Sequence, residues 1–189
     1  MLPPSRVAEV MRDAHVWWAV AGGWAIDLWL GEQTREHHDI EVVVRGSDQR
    51  EVHDALGAQW ALFCLDPPGS GWRTWSGAPL RPPAFQLQAR SATMGLEFDL
   101  FTETVDEGVW RFRRDQRIGR PLQEVTTLSP GGLPIVRPEV QLLYLAKSTE
   151  PKHQHDFELT APRLDRAAAE WLASALVVTA PGHPWLARL

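Results

Sequence analysis

Apolar residues recur at two different periods along this chain. Val7, Val10, Met11, Ala14 and Trp17/Trp18 fall three or four apart, which predicts a helix over residues 5–18 with Ser5 as its N-cap. Gly22-Gly23 breaks that pattern with a tight turn. Residues 24–30 then form a short apolar helix closed by Gly31. Asp39-Ile40-Glu41-Val42-Val43-Val44 is β-branched and reads as a strand. A helix over 47–56 between Ser47 and Gly57 and a strand over 60–65 come next. Residues 66–83 are a loop rich in Pro and Gly. Residues 84–90 and 96–103 read as two more strands joined by a turn. The pattern weakens over 104–133. Pro138 then suits the first turn of a helix over 139–147, and a further helix covers 164–178 with Asp165 near its start. The tail, 181–189, is expected to be ordered only by packing. This order predicts an α+β fold, a small mixed sheet flanked by helices and followed by a helical part. The division falls between residues 1–115 and 116–189.

Composition narrows the classes. The chain has 189 residues, 44% hydrophobic and 23% charged, an ordinary globular balance that excludes wholesale disorder. Its net charge of -5 argues against nucleic acid as a partner, because a protein that grips a phosphate backbone is usually basic. No segment approaches the ~20 apolar residues of a membrane helix. Residues 1–6 lack the charged and then apolar regions of a leader. The expectation is a cytoplasmic protein with no membrane partner. One cysteine, Cys64, excludes an intramolecular disulfide and is expected to be buried filler.

Three features suggest chemistry. Alternate residues of a strand share a face, so Asp39 and Glu41 point together with Ile40 behind them. Two adjacent carboxylates repel each other and resist burial unless a cation lies between them, and hard divalent ions such as Mg²⁺ take oxygen ligands of this kind. A strand end bearing two solvated acids is the plainer alternative. Gly22-Gly23 precedes a helix N-terminus, where close backbone approach and the helix dipole favour a phosphate; an ordinary turn is the alternative. Asp99 lies on a later strand between Phe98 and Leu100, and a neighbouring strand would bring it to the same cation. A solvent-facing acid is the competing reading.

Taken in order, these features resemble the nucleotidyltransferase superfamily with the polymerase-β-like core. In particular they resemble the small antibiotic nucleotidyltransferases, the aminoglycoside 2″-adenylyltransferases and the lincosamide nucleotidyltransferases. The resemblance is carried by Ala21-Gly22-Gly23-Trp24-Ala25-Ile26-Asp27, by the segment from Gly31 to Glu41, and by Leu96-Glu97-Phe98-Asp99. Supporting segments are 110–115, 138–147 and 151–157, so it spans about residues 8–160.

The resemblance implies the following roles. Asp39, Glu41 and Asp99 hold two Mg²⁺ ions, and Asp99 is also the general base. Gly22, Gly23, Arg35, Lys147 and Lys152 bind the nucleotide. A nucleoside monophosphate, AMP from ATP by expectation, passes to a hydroxyl of a small molecule such as an aminoglycoside or lincosamide, and pyrophosphate leaves. A homodimer is compatible with the resemblance. Glu41 departs from it, because many relatives carry Asp there. Two other readings remain open: a toxin-like transferase acting on a protein or tRNA, and a silent nucleotide binder.

The remaining chemistry-bearing residues have plainer readings. His37 and His38 are adjacent on an extended segment and face opposite sides, which disfavours a joint chelate. His153, His155 and Asp156 suggest a metal cluster on paper, but the resemblance instead places Lys152 and Asp156 in a structural, phosphate-facing segment. Arg111, Arg113, Arg114, Arg117 and Arg120 form either a solvated face or an anion-attracting one. Trp72, Trp75 and Trp110 either pack on the sheet or stack on a ligand, while Trp17, Trp18, Trp24 and Trp29 are expected in the core.

Overall fold

The computed structural model describes residues 3–12, 14–57, 59–93, 95–148 and 150–189. Met1 and Leu2, part of the segment read for a leader, lie outside them. Six helices and ten strands follow in chain order. Helix α1 (Pro4–Arg12) precedes β1 (Trp18–Ala21), α2 (Gly22–Leu30) and β2 (Glu41–Arg45). Helix α3 (Gln49–Leu56), β3 (Ala61–Cys64), β4 (Arg73–Thr74), β5 (Gln86–Ser91) and β6 (Leu96–Asp106) come next. Strands β7 (Val109–Arg111), β8 (Gly119–Pro121), β9 (Thr126–Leu128) and β10 (Pro134–Val136) lead to α4 (Pro138–Leu145), α5 (Pro151–Thr160) and α6 (Arg166–Thr179).

The main sheet runs β4-β3-β5-β6-β2-β1-β10-β9, with β7 and β8 continuing from the far end of β6. It is mixed: β2 pairs with β6 and β1 with β10 in parallel, and the other pairs are antiparallel. Its two faces carry separate cores, as alternation requires. Val42, Val44, Leu87, Ala89, Phe98 and Leu100 pack on one face under α1 and α3. On the other face Val43 joins α2, α4 and α6 through Ile26, Leu142, Leu143 and Leu172. This second core covers only the β2-β1-β10 side. Along β5 and β6 the same face carries Gln86, Gln88, Asp99 and Phe101, all partly exposed.

Two expectations are corrected here. Helix α1 stops at Arg12, and Trp18 opens a strand instead of closing a helix. Trp18 to Ala21 pairs residue by residue with Val44 to Glu41, and that ladder outweighs the helical spacing of the tryptophans. The helical part begins at Pro138 and not at 116, because the intervening residues form β8, β9 and β10. Strands of three residues are too short to show a period. Strand β10 is fixed by its parallel partner, with Val20 opposite Ile135.

Several local signals operate as expected. Gly31 ends α2 in the left-handed conformation at φ 83°, where its N–H reaches the Asp27 carbonyl. Asp165 caps α6 by accepting from the Ala168 N–H. Cys64 is buried. The tail is ordered by packing, as Trp185 stacks on Phe157 at 4.2 Å between ring centres and donates its indole N–H to Gln154. Trp75 and Trp110 are buried, which settles them as packing residues, and Trp17, Trp18, Trp24 and Trp29 pack partly buried against the core.

Candidate active site

The parallel pairing of β2 with β6 builds the site. Its register sets Glu41 directly opposite Asp99, and the Asp99 N–H bonds to the Ile40 carbonyl at 2.9 Å. Asp39 sits two residues before Glu41, exposed at the end of the strand. The three acids separated in sequence thus come together where the pairing of the central strands β2 and β6 begins. Burial pushes the Glu41 carboxyl up, and the negative charges of Asp39 and Asp99 push it further, against the pull of Arg113 and Lys147. Burial also raises Asp99, while amide N–H groups from Gln88 (2.9 Å) and Gln86 (3.1 Å) hold its two oxygens and oppose the rise.

Asp39 and Glu41 line a cleft of about 410 Å³, large enough for a small ligand, and Asp99 lies behind them on β6. The first turn of α2 forms one wall. Gly22 has φ +66°, and a Cβ there would collide with the Glu41 carboxylate. A Cβ on Gly23 would run into the Arg35 guanidinium and come within 2.7 Å of His37 Cε1. Both glycines therefore let charged side chains lie against the helix start. The Gly22 N–H donates to the buried Gln141 side chain at 3.0 Å.

The segment between α2 and β2 is held by two buried acids. Asp27 accepts from the Thr34 N–H (3.1 Å), the Thr34 hydroxyl (2.6 Å) and pairs with His37 Nε2 (2.6 Å). The His37 ring also stacks on Trp24. Asp156, on α5, takes a bidentate pair from Arg35 at 2.8 and 2.9 Å. Arg35 thus lines the cleft while tying its rim to the C-terminal helices. His38 is exposed, while His37 is buried and committed to Asp27 and Trp24, so the two histidines make no chelate.

Lys147 and Lys152 line the opposite wall, Lys152 with Glu150 at 3.4 Å. Sequence reasoning did not single out Gln141, Gln86, Gln88 or the Asp27–His37 pair, since amides and a helix-embedded acid carry no pattern. It noted the arginine run but not its division. Arg113 and Arg114 line the cleft, while Arg117 pairs with Asp115 at the surface and Arg120 with Glu139. Arg113 lies over the rings of Phe101 and Tyr144 at 4.8 and 4.7 Å and 3.6 Å from the buried Glu103. His153 bonds to Ser148 at 2.8 Å, and with Asp156 committed to Arg35 the 153–156 segment forms no metal cluster.

The donor chemistry suits a hard divalent cation: three carboxylates, two of them lifted by desolvation and further by their acidic neighbours, with no sulfur among them. Among the described residues, no three His, Cys, Asp or Glu side chains are gathered tightly enough to enclose one ion. Each Asp99 oxygen accepts one amide N–H and keeps a second lone pair that a cation could use. No helix is long and apolar enough to cross a membrane among the described residues.

Residues 5–63 match the family described as aminoglycoside-2''-adenylyltransferase. That segment contains Gly22, Gly23, Arg35, Asp39 and Glu41. No curated protein sequence matches the chain. Among solved structures, the fold is similar to ANT(2'')-Ia in complex with adenylyl-2''-tobramycin, with a TM-score of 0.61 at 16% identity over 94% of this chain and 97% of that one. It is also similar to the lincosamide antibiotic adenylyltransferase LnuA with lincomycin bound, with a TM-score of 0.56 at 15% identity over 91% and 95%. At such identities the likeness establishes the fold. The chain therefore has the fold of these two proteins, and its residues 5–63 carry the sequence pattern of the aminoglycoside-2''-adenylyltransferase family.

Proposed function

We propose that this protein transfers a nucleoside monophosphate, AMP from ATP, to a hydroxyl of a small molecule of the antibiotic type and releases pyrophosphate. The observation that carries the reading is the β2/β6 register, which sets Glu41 against Asp99 beside Asp39 at the mouth of a cleft walled by a helix N-terminus and cationic side chains. Residues 1–115 carry the acids, and residues 116–189 supply Gln141, Lys147 and Lys152 from the facing helices.

Asp39, Glu41 and Asp99 would hold Mg²⁺. When bound, the metal neutralises charge on the triphosphate and polarises the attacking hydroxyl. The chain's own groups do the rest. Lys147, Lys152 and Arg113 attract the β- and γ-phosphates into the cleft. The first turn of α2 offers backbone N–H groups to a phosphate oxygen, and the Gln141 oxygen now on Gly22 N–H marks that position. Asp99, oriented by Gln86 and Gln88, accepts the hydroxyl proton. The acceptor oxygen forms its bond to the α-phosphorus as the bond to the bridging oxygen breaks, and the electron pair leaves with pyrophosphate.

Arg35 serves the site mainly by position. Its guanidinium is committed to Asp156, so it braces the rim and adds charge at the cleft wall. The experiment is pyrophosphate release with Mg²⁺ and each NTP against aminoglycosides, lincosamides and simple glycosides, with product masses. A product heavier by one nucleoside monophosphate is expected. ATP bound without release on any acceptor would point to a silent binder or a macromolecular acceptor.

A further inference from the structure

Asp39 lines a second cavity, and nothing above uses it. This cavity, about 550 Å³, adjoins the nucleotide cleft at His38 and Asp39. Its walls come from Phe63 on β3, Arg90 and Ser91 at the end of β5, and Glu97 at the start of β6. We propose that it is the acceptor subsite, and that it takes a hydroxylated ring bearing no positive charge, a neutral glycoside-like compound. The inference rests on the transferase reading and narrows its substrate class.

Position is the first argument. A ligand here lies beside Asp39 on the side away from the cationic cleft wall, so a hydroxyl could reach the reacting phosphorus while the triphosphate stays with Lys147 and Arg113. A direct chain of hydrogen bonds also joins this cavity to the proposed base. Arg90 Nε donates to Gln88 Oε1 at 2.6 Å, and Gln88 Nε2 donates to Asp99 Oδ1 at 2.9 Å. A ligand that engages Arg90 therefore touches the group that orients Asp99.

Chemistry is the second argument. The Arg90 guanidinium lies over the Phe63 ring at 4.7 Å, making a flat wall with one cationic edge. The cavity's two acids are both committed: Asp39 to the reaction, Glu97 to Arg90 at 3.6 Å. A polycation would have to draw Glu97 away from Arg90 and would then face the freed guanidinium, whereas a hydroxyl can use a remaining Glu97 lone pair without breaking the pair. Hydroxyl groups meet no such conflict. They accept from the remaining guanidinium N–H groups and donate to Glu97, while the ring's C–H face lies on Phe63. The neighbouring cleft does not restore an acidic character, because Arg113, Arg114, Lys147 and Lys152 offset its acids.

The test reverses the charge of the wall. Tobramycin and trehalose serve as cationic and neutral probes, with binding read by calorimetry and turnover by Mg²⁺-ATP-dependent pyrophosphate release. Wild type is expected to favour trehalose over tobramycin. Arg90→Glu should strengthen tobramycin binding about tenfold, as expected for a two-charge swing at a half-exposed site. Glu97→Lys should weaken tobramycin further and leave ATP affinity unchanged. Circular dichroism checks that both variants fold. Tobramycin preferred by wild type, or tobramycin affinity indifferent to both variants, overturns the subsite. The two levels separate cleanly: release with tobramycin alone rejects the subsite and keeps the transferase, whereas no release on any acceptor rejects the transferase and the subsite with it.

Discussion

Two groups of acids lie on either side of the loop between α2 and β2, one buried and one half-buried to exposed, and their surroundings are opposite. Asp27 is 2% exposed and is surrounded by donors, two from Thr34 and one from His37. Glu41 accepts no hydrogen bond from the described residues and has Asp39 and Asp99 as neighbours, so its carboxyl is lifted above the ordinary range. A buried carboxylate with its partners supplied by the chain is part of the scaffold. A half-buried carboxylate surrounded by its own kind lacks a cation the chain does not provide, and such groups concentrate at functional sites. The first group shapes the loop that presents the second. Asp156, saturated by Arg35, belongs with Asp27.

Exchanging these roles by mutation breaks the comparison most sharply. Glu41→Gln is nearly isosteric and removes one of three repelling charges. Turnover should fall at least about a hundredfold, while the melting temperature holds or rises, as thermal unfolding beside a pyrophosphate assay would show. Asp27→Ala should do the reverse. It leaves His37 and Thr34 without their partner and should cost about 2–4 kcal/mol. In a chain of this size that lowers the melting temperature by about 2–4 °C per kcal/mol, with turnover of the folded fraction largely kept.

Cation binding should discriminate next. Mg²⁺ at about a hundred times its Kd should stabilise wild type by about 2.7 kcal/mol and should leave Asp39→Ala unmoved. Without metal, Glu41 and Asp99 hold protons more tightly folded than unfolded, because both carboxyls are raised. Their contribution to stability is therefore full below about pH 4, the unfolded carboxylate range, and is lost as pH rises through the raised folded values. A urea series from pH 4 to 7 on chelator-treated protein should show that loss in wild type and a smaller one in Glu41→Gln. The smallest effect belongs to Lys152→Ala. Its pair with Glu150 is exposed and contributes under about 1 kcal/mol, so the expected change is a several-fold rise in the ATP KM at constant melting temperature.

The acids clustered at the cleft were legible in the sequence, and the paired scaffold acids Asp27 and Asp156 were not. Asp39-Ile40-Glu41 announces itself because two carboxylates on one strand face contradict the apolar run that follows. Gly22-Gly23 and Asp99 add the turn and the third acid. The structure adds the contacts a one-dimensional pattern cannot carry. Asp27 sits within a helix of apolar residues, and its partners lie seven and ten residues away around a turn. Asp156 and Arg35 are 121 residues apart. Gln86 and Gln88 matter only because β5 lies antiparallel to β6 in a register that sets Gln88 opposite Asp99. Trp17-Trp18 misled for a related reason, since two adjacent tryptophans satisfy either period until a partner strand selects one.

The measurement that tests this account most directly compares pyrophosphate release by wild type, Glu41→Gln and Asp27→Ala, each with Mg²⁺-ATP and acceptor, below the melting temperature of all three. The account predicts release by wild type and by folded Asp27→Ala, and none above background from Glu41→Gln. Full release from Glu41→Gln, or its loss only where the fold is lost, would contradict the assignment of the β2/β6 acids as the reacting centre.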